Sequence, residues 1–177
     1  MRQIVLLRGI NLGSRNRIAM GQLRELPAGA GFAGARTYLQ SGNVVLCSDA
    51  PPEQLARECE QRIAAQFGFD VAVIVRTREE LRAVVQRNPL REVAIEPKRY
   101  QVTFLASEPD PELVGRISAL ALGAERLVAI GRELYAWHPD GIGRSKLSAK
   151  LAGSTLGVTA TARNWTTVTN LLAMADD

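Results

Sequence analysis

An order of apolar runs that occurs twice along the chain constrains its fold more than any other feature. Gln3 to Arg8 is a short β-branched and leucine-rich run, the pattern of a buried strand. Met20, Leu23 and Leu26 then recur at helical spacing until Pro27 and the Ala28–Gly31 run end them. Ala35 to Gln40 and Val44 to Cys47 read as strands, with Ser41–Asn43 as the tight turn between them. Asp49 and two prolines open a helix that runs through Phe67, with Leu55, Cys59, Ile63 and Phe67 at every fourth position. Asp70 to Arg76 is a fourth strand. Thr77 and Glu80 then form a capping box, opening a helix through Arg87 that Asn88-Pro89 stops.

The second half repeats that order. Tyr100 to Leu105 is a strand, and Asp110-Pro111 caps a helix through Leu120. Arg126–Ile130 and Leu134–Trp137 make a hairpin around Gly131. Ser145–Leu151 is a helix, Gly157–Ala162 a short strand and Asn164–Met174 a last helix. The expected fold is therefore α+β, with two duplicated ferredoxin-like (split βαβ) lobes, each βαββαβ followed by a helix. The first lobe spans residues 1–88 and the second 99–177.

Composition narrows the functional classes. At 177 residues, 46% hydrophobic and 23% charged, the chain is long and apolar enough for a real core. Ile4 to Leu7 is too short for a signal-peptide apolar region, and no run reaches the length of a membrane span. A cytoplasmic protein with no membrane partner is the expectation. Cys47 and Cys59 are not in CxxC spacing and read as buried core thiols rather than a disulfide. His138 is the only histidine, which removes multi-histidine metal sites and argues against a histidine triad. It reads as a strand-end residue. No metal and no cofactor is expected.

Charge is unevenly placed. Residues 1–48 hold six arginines against Glu25 alone. Between Gly141 and Met174 there are four bases and no acid. The basic character thus lies at the two ends. It is densest in the segment Leu6–Ile18, LLRGINLGSRNRI, where Arg8, Arg15 and Arg17 stand among Asn11, Asn16, Gly9 and Gly13.

Topology tells such segments where to meet. In a split βαβ lobe the first and second strands run parallel, so the loop after the first strand shares a sheet end with the turn before the third. Arg8, Asn11, Arg15 and Arg17 should lie near Ser41 and Asn43. Arg8 and Asn11, next to the strand end, should reach a site there, while Arg15 and Arg17 face solvent. In the second lobe, Arg144, Ser145 and Lys146 should share an end with Arg163 and Asn164. Glycine-containing turns and helix starts offer N–H groups to an anion.

Four motifs, LLRGIN, YLQSGNVV, GRSKLS and ATARNW, occur in this order and spacing. With them the chain resembles the bacterial family known as domain of unknown function 1697, over nearly its whole length. The resemblance implies a compact cytoplasmic α+β protein. It implies no activity, substrate or catalytic residue. The family pattern continues the first helix through the position of the Ala28–Gly31 run, where this chain departs from it.

Each motif also has a plain structural reading. The spacing of Gly9 and Gly13 fits neither a dinucleotide-binding nor a P-loop pattern. The opening loop fits both a solvated connection and an anion-binding loop. Ser145 and Lys146 are adjacent, and neighbours on a helix do not face each other, so Ser145 reads as a helix cap before a surface lysine. Asn164 reads as an N-cap and Trp165 as core. In their functional versions, Lys146 and the neighbouring N–H groups hold a phosphate, and Arg163 grips a phosphate or carboxylate. The central strands of the first lobe carry no aromatic, which argues against base stacking on RNA. The expected partner is an anionic small molecule, a nucleotide or phosphorylated metabolite, or a nucleic-acid backbone. The alternatives are an enzyme acting on a phosphorylated small molecule, and a module that forms a homodimer without a ligand.

Overall fold

The structure, a computed structural model, describes residues 1–28, 34–39, 42–152 and 156–177. It is a mixed α+β protein with two four-stranded antiparallel sheets and, among the described residues, six α-helices. The chain divides into two compact units. One comprises Met1–Ala83 with Asn170–Asp177, the other Val84–Thr169.

The first unit contains β1 (Arg2–Leu7), α1 (Met20–Ala28), β2 (Arg36–Tyr38), β3 (Asn43–Cys47), α2 (Pro52–Phe67) and β4 (Val73–Thr77). Its sheet order is β2-β3-β1-β4. The register pairs Val5 with Val44 and with Val75, and Leu7 with Val73. These side chains share one sheet face and pack on Leu23, Leu26, Leu55 and Ile63. The opposite face is as apolar: Ile4, Leu6, Val45 and Ile74 are all at most 3% exposed. A strand buried on both faces loses the alternation of a half-solvated strand, which is why β1 appears in sequence as an unbroken run.

α2 follows the expected stripe, with Leu55 and Ile63 buried and Cys59 and Phe67 packed partly against the same core. Gly68 ends it in the left-handed region at φ 74°, where glycine carries no Cβ penalty. Burial pushes the Cys59 thiol up to about 11, with Glu58 adding to the effect. Cys47 does not behave as expected. It is exposed, because it is the last residue of β3 and lies opposite Arg2 at the open end of β1.

The second unit contains β5 (Tyr100–Leu105), α4 (Pro111–Ser118), β6 (Arg126–Ile130), β7 (Glu133–Trp137), α5 (Lys146–Ala152) and β8 (Ala160–Asn164). Its sheet order is β6-β7-β5-β8. Leu105, Leu134, Ala136 and Ala160 form a core with Ile117, Leu147, Leu151 and Leu156. Two helices cross the division between units: α3 (Arg78–Arg87) and α6 (Trp165–Asp176).

Three strands differ from their expected limits by more than one residue. β4 begins at Val73, whose N–H donates to the Glu60 carboxylate at 2.9 Å. β2 stops at Tyr38, and Leu39 follows with φ 57°. β8 starts three residues and ends two residues later than expected, because its pairing with β5 runs from Ala160 opposite Leu105 to Asn164 opposite Gln101.

Candidate functional site

The end of β1 meets the turn before β3, as the topology requires. The Leu7 N–H donates to the Gly42 carbonyl at 2.8 Å. Gly42 has φ 78°, and a Cβ there would lie 2.8 Å from the Leu7 Cβ. Only glycine fits this contact. Asn43 is fully buried, and its Nδ2 donates to the Tyr38 carbonyl at 3.0 Å, so it closes the turn from inside. Ser41 lies outside the described residues.

The opening loop is built around Asn11. Its φ is 55°, a region asparagine tolerates better than most residues. Its Nδ2 donates to the Ile18 carbonyl at 3.0 Å, and its Oδ1 accepts the Ile18 N–H at 2.9 Å. Its own N–H donates to Asn16 O at 3.0 Å. Ile10 and Ile18, both 2% exposed, pin the two ends of the loop into the core. The segment between them is held outward, with Leu12 70% exposed at its tip.

Beside this loop lies a cleft of about 590 Å³, lined by Asn11, Gly13, Arg17, Ile18, Ala19, Met20 and Gln22. The floor is the start of α1. The Leu23 N–H donates to Ala19 O at 2.9 Å, which makes Ala19 the residue preceding the first turn. Alanine has no side-chain oxygen with which to cap. The N–H groups of Met20, Gly21 and Gln22 have no intrahelical acceptor, and the first turn contains no acid. Arg17 Nε donates to Gly13 O at 3.1 Å, which anchors the guanidinium beside the cleft. Arg17 is exposed, as expected, and it lines the cleft together with Asn11. Arg8 and Arg15 are not among its lining residues; Arg8 is half-buried and Arg15 exposed.

The second unit handles its motif residues differently. Ser145 Oγ accepts the Ser148 N–H at 3.0 Å and caps α5. Asn164 Oδ1 accepts the Thr167 N–H at 2.9 Å and caps α6. Both helix starts are thus occupied by the chain's own side chains, in the roles read from the sequence. Arg163 is 9% exposed and donates through Nη1 to Thr161 Oγ1 at 2.7 Å and to Ala162 O at 2.8 Å. Burial lowers its guanidinium to about 10. Arg144 and Lys146 are exposed. The two segments meet at the start of β5, where Gln101 pairs in register with Asn164 and accepts from Ser148 Oγ at 3.4 Å.

Two residues that sequence reasoning missed organise this end. Glu125, 7% exposed, accepts from Ser145 Oγ at 2.5 Å, from His138 Nδ1 at 2.8 Å and from the Leu122 N–H at 3.2 Å. Burial pushes its carboxyl up, but the bonds from Ser145, His138 and Leu122 outweigh that and hold it below its ordinary value. A carboxylate only accepts, so His138 carries its proton on Nδ1. Its buried Nε2 has no hydrogen-bond partner among the described residues. The signal was one pair beyond the visible hairpin: Arg126 faces Trp137, so Glu125 falls opposite His138.

Aromatics do occur on the central strands of the second unit. Tyr100, Phe104, Tyr135 and Trp137 share one face of β5 and β7, each at most 6% exposed. Tyr100 stacks on Trp165 at 4.9 Å between ring centroids, and Tyr135 Oη donates to Val84 O at 2.9 Å. Rings engaged in this way present no platform to a base. Among the described residues, no group of three or more metal-ligating side chains comes together, and no helix is long and apolar enough to cross a membrane.

The profile of the family described as protein of unknown function, DUF1697, matches residues 1–135. The chain belongs to the DUF1697 family. The match includes the opening loop and the Gly42 turn, and the GRSK and ARNW segments lie beyond it. No curated protein matches the chain. Among solved structures it is similar to the conserved bacterial protein SP0830 from Streptococcus pneumoniae. The TM-score is 0.78 and the identity 22%, over 98% of each chain. A likeness at that identity shows a shared fold.

Proposed function

We propose that this DUF1697 protein is a cytoplasmic protein that binds an anionic ligand in the cleft between the opening loop and α1. The observation that carries the reading is the set of groups converging there. An N-terminus that no side chain of Ala19 caps, the Arg17 guanidinium and a concave space of about 590 Å³ occur together. Free N–H groups and the helix dipole attract negative charge, and an arginine adds a charge-assisted bond. A cleft of this volume suits a nucleotide or a phosphorylated metabolite. A nucleic-acid backbone is the extended form of the same chemistry.

We further infer that each unit is a ferredoxin-like lobe and that the pair arose by duplication. The strand orders β2-β3-β1-β4 and β6-β7-β5-β8 support this, with helices following the first and third strand of each set.

The test is a thermal-shift screen of inorganic phosphate, nucleotides and sugar phosphates on wild type and Arg17→Ala. A bound anion raises the melting temperature of wild type in proportion to RT ln(1 + [L]/Kd) and that of Arg17→Ala much less. If no anion stabilises wild type above a chloride control, the reading fails. A steep loss of binding with added salt identifies a nucleic-acid backbone, and a shallow one a pocket ligand.

A further inference from the structure

The second sheet has an open edge at β6. The Leu105 N–H donates to Arg132 O at 2.9 Å, so Arg132 and Leu105 are a hydrogen-bonded pair. Main-chain direction alternates along an antiparallel strand. Leu134 and Ala136 therefore also turn their main chain toward β5, while Glu133, Tyr135 and Trp137 turn theirs toward β6. Their register partners Ile130, Val128 and Arg126 spend their N–H and C=O groups on β7. The N–H and C=O groups of Leu127 and Ala129 point outward, where no described strand pairs with them.

Edge strands are usually guarded by proline, a bulge or an outward charge. β6 reads RLVAI, with one charge. That charge is drawn off the edge, since Arg126 Nη1 donates back to Gly123 O at 3.2 Å and Glu125 O at 2.8 Å. Ala129 is exposed, and Leu127, Val128 and Ile130 are half-buried.

We propose that β6 pairs antiparallel with β6 of a second copy of the chain, about a two-fold axis at Val128. The outward groups favour this occupant because they are symmetric about that residue. Leu127 falls opposite Ala129 of the second copy, and Ala129 opposite its Leu127, so all four outward donors and acceptors on each side are met. Val128 faces Val128 as a close β-branched pair without main-chain bonds. Arg126 faces Ile130 of the second copy, so no like charges meet. The two sheets become one, and the interface is isologous as a closed dimer requires.

Sedimentation velocity from ~1 to ~100 µM tests this over the range where modest affinities show. Wild type should reach twice the mass of one chain. Ala129→Pro removes two of the four intermolecular donors and none of the β7 ladder, and should weaken the dimer at least ~10-fold. Val128→Cys in a Cys47→Ser background should give a disulfide-linked dimer on mild oxidation, because the two Cβ atoms face each other across the axis. This variant decides the matter should the proline variant not fold. A wild type that stays monomeric overturns the proposal. So does a dimer in which Val128→Cys fails to cross-link.

Discussion

Glu125 shows what a single buried carboxylate can organise. It receives hydrogen bonds from a helix cap, a histidine and a main-chain N–H, and each donor would be left without its acceptor if it were removed. Glu125→Ala should therefore cost about 3 kcal/mol, measured by urea unfolding at neutral pH. The pH dependence has a definite sign. The folded carboxyl titrates below its ordinary value near 4.5. Its contribution is present above that ordinary value and is lost as pH falls through the lower folded one. Glu125→Gln should lose stability at neutral pH and show a flatter acid limb than wild type. An acid limb as steep as that of wild type would show that Glu125 is not the group responsible. At Arg17 the lesson is different. Its type and position were plain in the sequence, but only the Gly13 contact turns it toward the cleft.

At the scale of elements, the caps were the most legible feature. Thr77 and Glu80 form the reciprocal box expected of them, with Glu80 N–H to Thr77 Oγ1 at 3.1 Å and Thr77 N–H to Glu80 Oε2 at 2.8 Å. Asp110 caps α4 through the Glu112 N–H at 3.0 Å. Capping is a contact between residues two or three apart, so sequence displays both partners. Asn164→Ala should cost about 1 kcal/mol through loss of the Thr167 contact, read as a lower denaturation midpoint, whereas Asn164→Asp should retain most of it. Strand limits were less legible. β8 extends to Asn164 because β5 lies beside it, and that partner is some sixty residues distant in the chain. Nothing local in ATARN announces where such a ladder stops.

At the scale of the whole molecule, the last residues belong with the first. Asn170–Asp177 fall in the unit formed by Met1–Ala83. Asn170 Nδ2 donates to Tyr38 Oη at 2.7 Å, and Arg36 donates to the Met174 carbonyl. Arg82 pairs with Asp176 at 2.6 Å, and Leu171 and Ala175 are at most 1% exposed. Deleting residues 170–177 should destabilise the first unit by at least about 2 kcal/mol, since Leu171 alone is worth that much when fully buried. Hydrogen exchange checks it: amides of β1, β3 and β4 should lose protection more than those of β5 and β7. Equal loss in both sheets would contradict it.

The amino-acid sequence by itself determined the order of elements, the caps, the apolar strands and the concentration of basic residues at both ends of the chain. All of these follow from periodicity and from neighbours a few positions apart, where the chain's own covalent geometry brings the groups together. The tertiary structure alone decided which side chains share a site. It placed Arg17 in a cleft and Arg163 in a buried strand, exposed Cys47, and set Glu125 against His138 and Ser145. Those outcomes depend on register and packing between distant segments. For the strand residues among them, a shift of one residue in pairing would reverse the face each presents.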